Sequence, residues 1–295
     1  MNKMFLNIKD IKLNCANNQN SVHNERDNVI LKARKNDIAV VGLACRVADA
    51  QNADQFWDML KSGEECVREL TQQRKKDIYD YLEANGLKTA KEKIELLNYC
   101  SMDEIDKFDC EYFNISPSEA ELMDPRQRMM LETAWNALED SGYCGDDVTG
   151  SKTGVFVGMS SNRDSYMNLL GDIDGELSGK VLTGNLPSIV ASRISYILNL
   201  KGPAITIDTA CSSSLVAIHN AVKSLNSGEC DMAIAGGVDI TFMPRRRDSY
   251  NIGINSSDLK TKSFDDRADG TNAGEAVATV VLKPLYKAEQ DNDHI

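Results

Sequence analysis

The residue of this sequence best placed to do chemistry lies within Asp208-Thr-Ala-Cys-Ser-Ser-Ser-Leu215. Cys211 stands where a short apolar run gives way to a run of helical period. Pro203 to Ala210 predicts a short buried strand, with Ile205 and Ile207 on one face and Thr206 and Asp208 on the other. Cys211 to Leu225 predicts a helix. Leu215, Ile218, Val222 and Leu225 recur at helical spacing, and Val216, Ala217 and Ala221 leave little of the circumference polar. A helix that is apolar nearly all round belongs inside a larger body. Cys211 would then sit at the positive end of a buried helix, where unpaired backbone N–H groups and the macrodipole favour a thiolate over a thiol. Such a thiolate is a nucleophile for an acyl group. The same pattern also fits an inert interior cysteine, one of the commonest buried residues, and spacing alone leaves both readings open.

The other reactive residues are scattered. Cysteines occur at 15, 45, 66, 100, 110, 144, 211 and 230 with no Cys-x-x-Cys pair, and the three histidines are His23, His219 and His294. That excludes the common zinc spacings, so no metal is expected. His219 falls on the Cys211 helix eight residues on, about 12 Å along the axis, and reads as a packing residue rather than a base for Cys211. The net charge of -12 argues against nucleic acid, because no basic stripe is present to neutralise phosphates, and against an anionic membrane surface. The one compact basic cluster, Arg245-Arg246-Arg247, reads as a solvated loop, with docking of an acidic partner as the alternative. Scattered cysteines, with only short apolar snatches near the N-terminus, predict a soluble protein of the reducing cytoplasm.

An α/β scaffold must position Cys211. Residues 1–35, rich in Asn and Lys, read as a linker or docking tail. Asp37-Ile-Ala-Val-Val-Gly42 predicts a strand of the kind covered on both faces in parallel sheets. A helix from Ala53 to Ser62 follows, with Asn52 as N-cap, Gln55 at the capping-box position and Gly63 as the stop. Residues 64–110 are charged and read as a surface excursion holding one helix, Lys75 to Asn85. The next helix has Asp124 as cap, Pro125 at its first position, Gln127 completing a capping box and Gly142 ending it. Its apolar stripe is Met130, Leu131, Ala134, Trp135 and Leu138. Thr153 to Gly158 predicts a strand, Met159 to Gly179 a loop with one helical turn, and Leu186 to Leu198 a helix. After the Cys211 unit come the strands Met232–Asp239 and Ala276–Leu282, then a helical fragment that runs to Ile295 without a turn or cap. Strand-helix-strand order around Cys211 calls for a right-handed crossover and parallel pairing.

Residues 208–215 resemble the active-site motif of polyketide synthase ketosynthase domains, members of the thiolase-like β-ketoacyl synthase superfamily. Four further stretches agree in order and spacing. Asp37 to Arg46 resembles the opening strand. Met123-Asp-Pro-Arg-Gln-Arg128 with Leu131-Glu-Thr-Ala-Trp135 resembles the signature helix. Thr183-Gly-Asn185, Ser192-Arg-Ile-Ser195 and Leu200-Lys-Gly-Pro203 resemble the run leading to the nucleophile. Phe264-Asp265, Asp269-Gly270, Gly274-Glu275 and Val281-Leu-Lys-Pro-Leu285 resemble the end of the first structural half. Two departures, Ala276 and Thr271-Asn-Ala273, leave the nucleophile untouched.

The resemblance implies a layered α-β-α-β-α thiolase-like fold, of which residues 36–295 supply the first half. It implies that Cys211 takes an acyl group as a thioester, with its backbone N–H contributing to the oxyanion hole. The acyl group would arrive on the phosphopantetheine arm of an acyl carrier protein, with no cofactor bound directly, and decarboxylative Claisen condensation with a malonyl-type extender would follow. The family's two catalytic histidines and the second part of its oxyanion hole lie in the other half of the fold. The implied partners are therefore an acyl carrier protein, a complementary C-terminal half or the rest of a multidomain synthase, and a second copy in a homodimer. One half alone would leave the Cys211 helix with an uncovered apolar side, predicting aggregation or capture of that complement. A remnant serving as a dimerisation or carrier-docking module is the alternative. An α/β-hydrolase with a cysteine nucleophile is disfavoured, because Thr209 and Ser213 replace the elbow glycines and no triad histidine is at hand.

Overall fold

The computed structural model describes residues 36–84, 96, 98–160, 166–171, 177–243 and 254–295. The tail 1–35 with Cys15 and His23, and the Arg245-Arg246-Arg247 cluster, lie outside the described residues. In chain order the elements are β1 (Ile38–Val47), α1 (Ala53–Ser62), α2 (Gln72–Ala84), α3 (Pro117–Ala120), α4 (Pro125–Asp140), β2 (Thr153–Gly158), α5 (Tyr166–Leu170), α6 (Leu177–Asn185), α7 (Ile189–Ile197), β3 (Ala204–Ile207), α8 (Ser213–Ser227), β4 (Met232–Asp239), β5 (Ala276–Pro284) and α9 (Leu285–Asp291).

The five strands form one sheet in the order β1-β5-β4-β2-β3. β2 pairs parallel with β3 and with β4, and β5 runs antiparallel to both β4 and β1. The strands flanking the Cys211 unit are thus parallel as expected, but β2 lies between them. Along β2 the side chains alternate. Val155 and Val157 enter the core formed with α4 and α7, while Phe156 enters the core formed with Ala217, Ala221 and Leu225 of α8. Helices therefore cover both faces of a mixed α/β sheet.

Several boundaries agree with local chemistry. The Asn52 side chain accepts the Gln55 N–H at 2.9 Å, and Gly63 ends α1 in the left-handed conformation at φ 66°. The Gln55 side chain reaches back to the Gln51 N–H at 2.8 Å, one residue before the cap. Asp124 caps α4 by accepting the Arg126 N–H at 2.8 Å.

Other expectations are corrected. β1 is an edge strand paired antiparallel with β5, with a bulge between Val40 and Gly42. Its Val40 and Leu43 are exposed, because α4 covers only one of its faces. Gln127 closes no capping box. Its amide donates to the carbonyls of Thr183 and Leu186, and its oxygen accepts from Arg193 Nε at 3.0 Å. The helix read from Leu186 begins three residues later, as α7 at Ile189, because Pro187 disfavours helical backbone at Leu186; α6, which precedes it, is not among the expected elements. The described residues of 64–110 are no surface excursion, since Leu70, Ile78, Leu82 and Tyr99 form a core of their own. α9 does have a cap. Asn292, at φ 60°, turns its N–H back toward the helix, and the Asp291 and Asp293 carboxylates accept from Lys283 at 2.6 and 2.7 Å.

One buried ion pair ties these parts together. Arg74 of α2 donates to both carboxylate oxygens of Glu275, at 3.1 and 3.0 Å. Glu275 also accepts from the Met102 N–H at 2.7 Å, the Thr241 N–H at 3.0 Å and the Tyr99 hydroxyl at 3.2 Å. Burial works against the Arg74 guanidinium, but its bonds to Glu275 prevail and hold its pKa above the ordinary value. Burial and the Glu275 charge push the Tyr99 phenol up.

Candidate active site

β2, β3 and β4 end on the same edge of the sheet, the edge at which parallel strands present ligands. β3 runs out at Ile207, and the chain turns through Asp208, Thr209 and Ala210 before α8 begins at Ser213. β3 is an exposed edge strand rather than the buried one expected, because among the described residues only β2 pairs with it. Cys211 is exposed and lies one residue ahead of Ser212, the N-cap, so it belongs to the turn and not to the helix.

The turn is sharp. Ala210 sits at φ 54°, the left-handed region that residues with a Cβ avoid. Its N–H donates to Asp208 Oδ1 at 3.1 Å, and Ser160 Oγ donates to the other oxygen of Asp208 at 3.5 Å. Ser212 spends its hydroxyl on the Thr209 carbonyl and Thr209 Oγ1, at 2.8 and 2.9 Å, and makes no side-chain cap bond to α8.

Two glycines let the first turn of α8 settle on the sheet edge. A Cβ at Gly158 would meet Ser214 N at 2.4 Å and Ser213 C at 2.5 Å, and one at Gly237 would meet Ser214 Cβ at 2.8 Å. Gly158 and Gly237 face each other across β2 and β4. In the sequence both read only as members of strands, although glycine at the end of a buried strand signals close backbone approach.

α8 buries Ser213, Ala217, Ala221, Ser224 and Leu225 against the sheet. Leu215, expected inward, is 70% exposed. His219, expected to pack, is exposed as well. The small Ala217 and Ala221 bring the backbone onto the sheet, Leu225, Ile218 and Val222 pack into the same core, and Leu215 is turned away. His294 follows α9, which caps the opposite end of the sheet, so neither described histidine joins Cys211. Among the other cysteines, burial raises the thiols of Cys45 and Cys66 and pushes those of Cys100 and Cys230 up to about 11. Among the described residues, no group of His, Cys, Asp and Glu side chains could hold a metal ion, and no helix is long and apolar enough to cross a membrane.

Known proteins share this architecture. A family model described as the β-ketoacyl synthase N-terminal domain matches residues 35–288. The chain is 41% identical over 261 residues to polyketide synthase PksN of Bacillus subtilis, covering 88% of this chain and 5% of that protein. It is 38% identical over 265 residues to the pikromycin polyketide synthase component PikAII of Streptomyces venezuelae, covering 88% and 7%. Among solved structures, the ketosynthase from module 6 of the bacillaene synthase of Bacillus subtilis superposes with a TM-score of 0.72 at 39% identity. That alignment covers 88% of this chain and 42% of the other, so the chain spans less than half of the ketosynthase it matches. With the family model and the thiolase-like sheet in agreement, the chain belongs to the β-ketoacyl synthase family, whose N-terminal domain it carries.

Proposed function

We propose that Cys211 is the acyl-accepting nucleophile of a polyketide synthase ketosynthase, and that residues 36–295 are the nucleophile-bearing half of that domain. The acyl group arrives as a thioester on the phosphopantetheine arm of an acyl carrier protein in the cytoplasm. The Cys211 sulfur attacks the carbonyl carbon, a new carbon–sulfur bond forms, the bond to the arm breaks, and the carrier thiol leaves with the proton. Exchange of one thioester for another is nearly isoenergetic, which suits a covalent intermediate. The observation that carries this reading is the exposed Cys211 on a strained turn at the carboxyl edge of the sheet, immediately ahead of α8.

Decarboxylation of a malonyl-type extender and attack of its enolate need donors aimed at the developing oxyanion. Neither described histidine is near enough to supply one, so condensation draws on a complementary half. The exposed Leu215 at the mouth of the turn is a place for that half, or a second copy, to pack.

Incubation of the chain with an acyl thioester, followed by intact-mass and peptide analysis, tests the assignment. The expected result is one acyl adduct on Cys211, lost in Cys211→Ala. No adduct on Cys211 refutes it and favours a docking module; turnover to a β-keto product by this chain alone refutes the division of labour.

A further inference from the structure

We infer that Ser213 is the positioning residue that orients the Cys211 peptide for acyl transfer. Of the three serines after Cys211, Ser212 turns to Thr209 and Ser214 rests against Gly237. Ser213 is turned inward and only 6% exposed. The Thr209 N–H donates to its hydroxyl at 2.9 Å, and the hydroxyl donates to the Ala210 carbonyl at 2.6 Å. The Ser213 N–H donates to that same carbonyl at 3.0 Å. One residue thus grips the turn on both sides of Ala210, the residue held in the left-handed region.

The consequence for Cys211 follows from peptide planarity. The Ala210 carbonyl and the Cys211 N–H belong to one planar trans unit and point in opposite directions. Two bonds from Ser213 to the carbonyl therefore fix the direction of the Cys211 N–H, away from Ser213. Acyl transfer passes through a tetrahedral oxyanion, and a preset backbone N–H is an effective donor to it. Without the hydroxyl, the Thr209 N–H loses its partner and the Ala210 carbonyl keeps only one of its two bonds.

Ser213→Ala in the full chain tests this. In its kinetic arm the inference rests on Cys211 being the acyl acceptor. The acylation rate from an acyl thioester should fall about tenfold or more. Alkylation of Cys211 by iodoacetamide, a displacement with no oxyanion, should stay within about twofold of wild type relative to the exposed Cys144 in the same molecule. Acylation at the wild-type rate, or both reactions falling together, overturns the inference. Amide exchange is the second measurement and needs no acyl chemistry. Exchange at Thr209 should quicken about tenfold or more with its acceptor gone, and unchanged protection there also overturns it. A wild-type chain that takes no acyl group refutes the acyl-acceptor reading, and the exchange result then decides the clasp by itself.

Discussion

Glu275 offers the sharpest test of how the sheet edge is braced. Its side chain is fully buried (0% exposed) and accepts from Arg74, Tyr99, Met102 and Thr241. Replacing it by Met of similar volume leaves the Arg74 guanidinium buried with no counter-charge, a loss of about 3–5 kcal/mol. It also orphans the Met102 and Thr241 amides, at about 1–3 kcal/mol each. Against a usual total of about 5–15 kcal/mol, Glu275→Met should leave the chain marginal or unfolded. In Arg74→Met/Glu275→Met both charges are gone, but the Met102 and Thr241 carbonyls also lose the Arg74 donors they had at 2.7 and 2.9 Å, so the double variant should recover about 2 kcal/mol relative to Glu275→Met alone. Urea denaturation followed by far-ultraviolet circular dichroism, with an unchanged slope, measures this. A Glu275→Met loss below about 1 kcal/mol, or a double variant no more stable than the single, would refute the reasoning.

Two further outcomes follow from the site edge and its surroundings. Gly158→Ala drives a Cβ to 2.4 Å from Ser214 N, a backbone contact that a side-chain rotation cannot relieve. It should cost about 1–3 kcal/mol in urea denaturation and slow Cys211 acylation; wild-type values for both would show that α8 does not rest on Gly158. The second concerns alkaline pH. Burial raises the Cys230 thiol from an ordinary 9.0 to about 11, and Cys100 likewise. The folded chain keeps those protons where the unfolded chain releases them, so this contribution is whole below pH 9 and is lost as the pH rises from about 9 to about 11. Each thiol adds a slope of at most about 1.4 kcal/mol per pH unit. Cys230→Ala should flatten that fall, and an unchanged slope would contradict it.

What the sequence made legible was whatever a few neighbouring residues decide between themselves. Asn52 and Gly63 end α1 because a cap and a left-handed glycine act within four residues of the helix ends. The ranges of β2 and β4 are as expected because each is an apolar run closed by polar residues or glycine. The Arg74–Glu275 pair joins residues 201 apart in sequence, and a charged segment gives no sign of which charge is buried. For the same reason Gln127 looks like half of a capping box, although its partners are Thr183, Leu186 and Arg193. At the site, the motif marks Cys211 but not its setting. Three consecutive serines carry no label saying that Ser213 faces inward, and Ala210 carries no sign of its positive φ.

The setting of Cys211 separates the two stages of the family's chemistry. The turn at Cys211 is shaped by a short stretch, Asp208 to Ser213, with Ser160 bonded to Asp208 and with Gly158 and Gly237 beneath it. On the proposed function, capture of an acyl group can therefore be assayed on this turn by itself. On the same reading, carbanion formation has no such local solution, because neither described histidine, His219 on α8 nor His294 after α9, joins the turn. Leu215 on the first turn of α8 is exposed, as are Ile205 on β3 and Tyr196 on α7. Burying each such side chain stabilises an assembly by about 1.5–3 kcal/mol. On the proposed function, a complementary half that covered Leu215 would also complete the site, so docking and completion would be driven by the same contact.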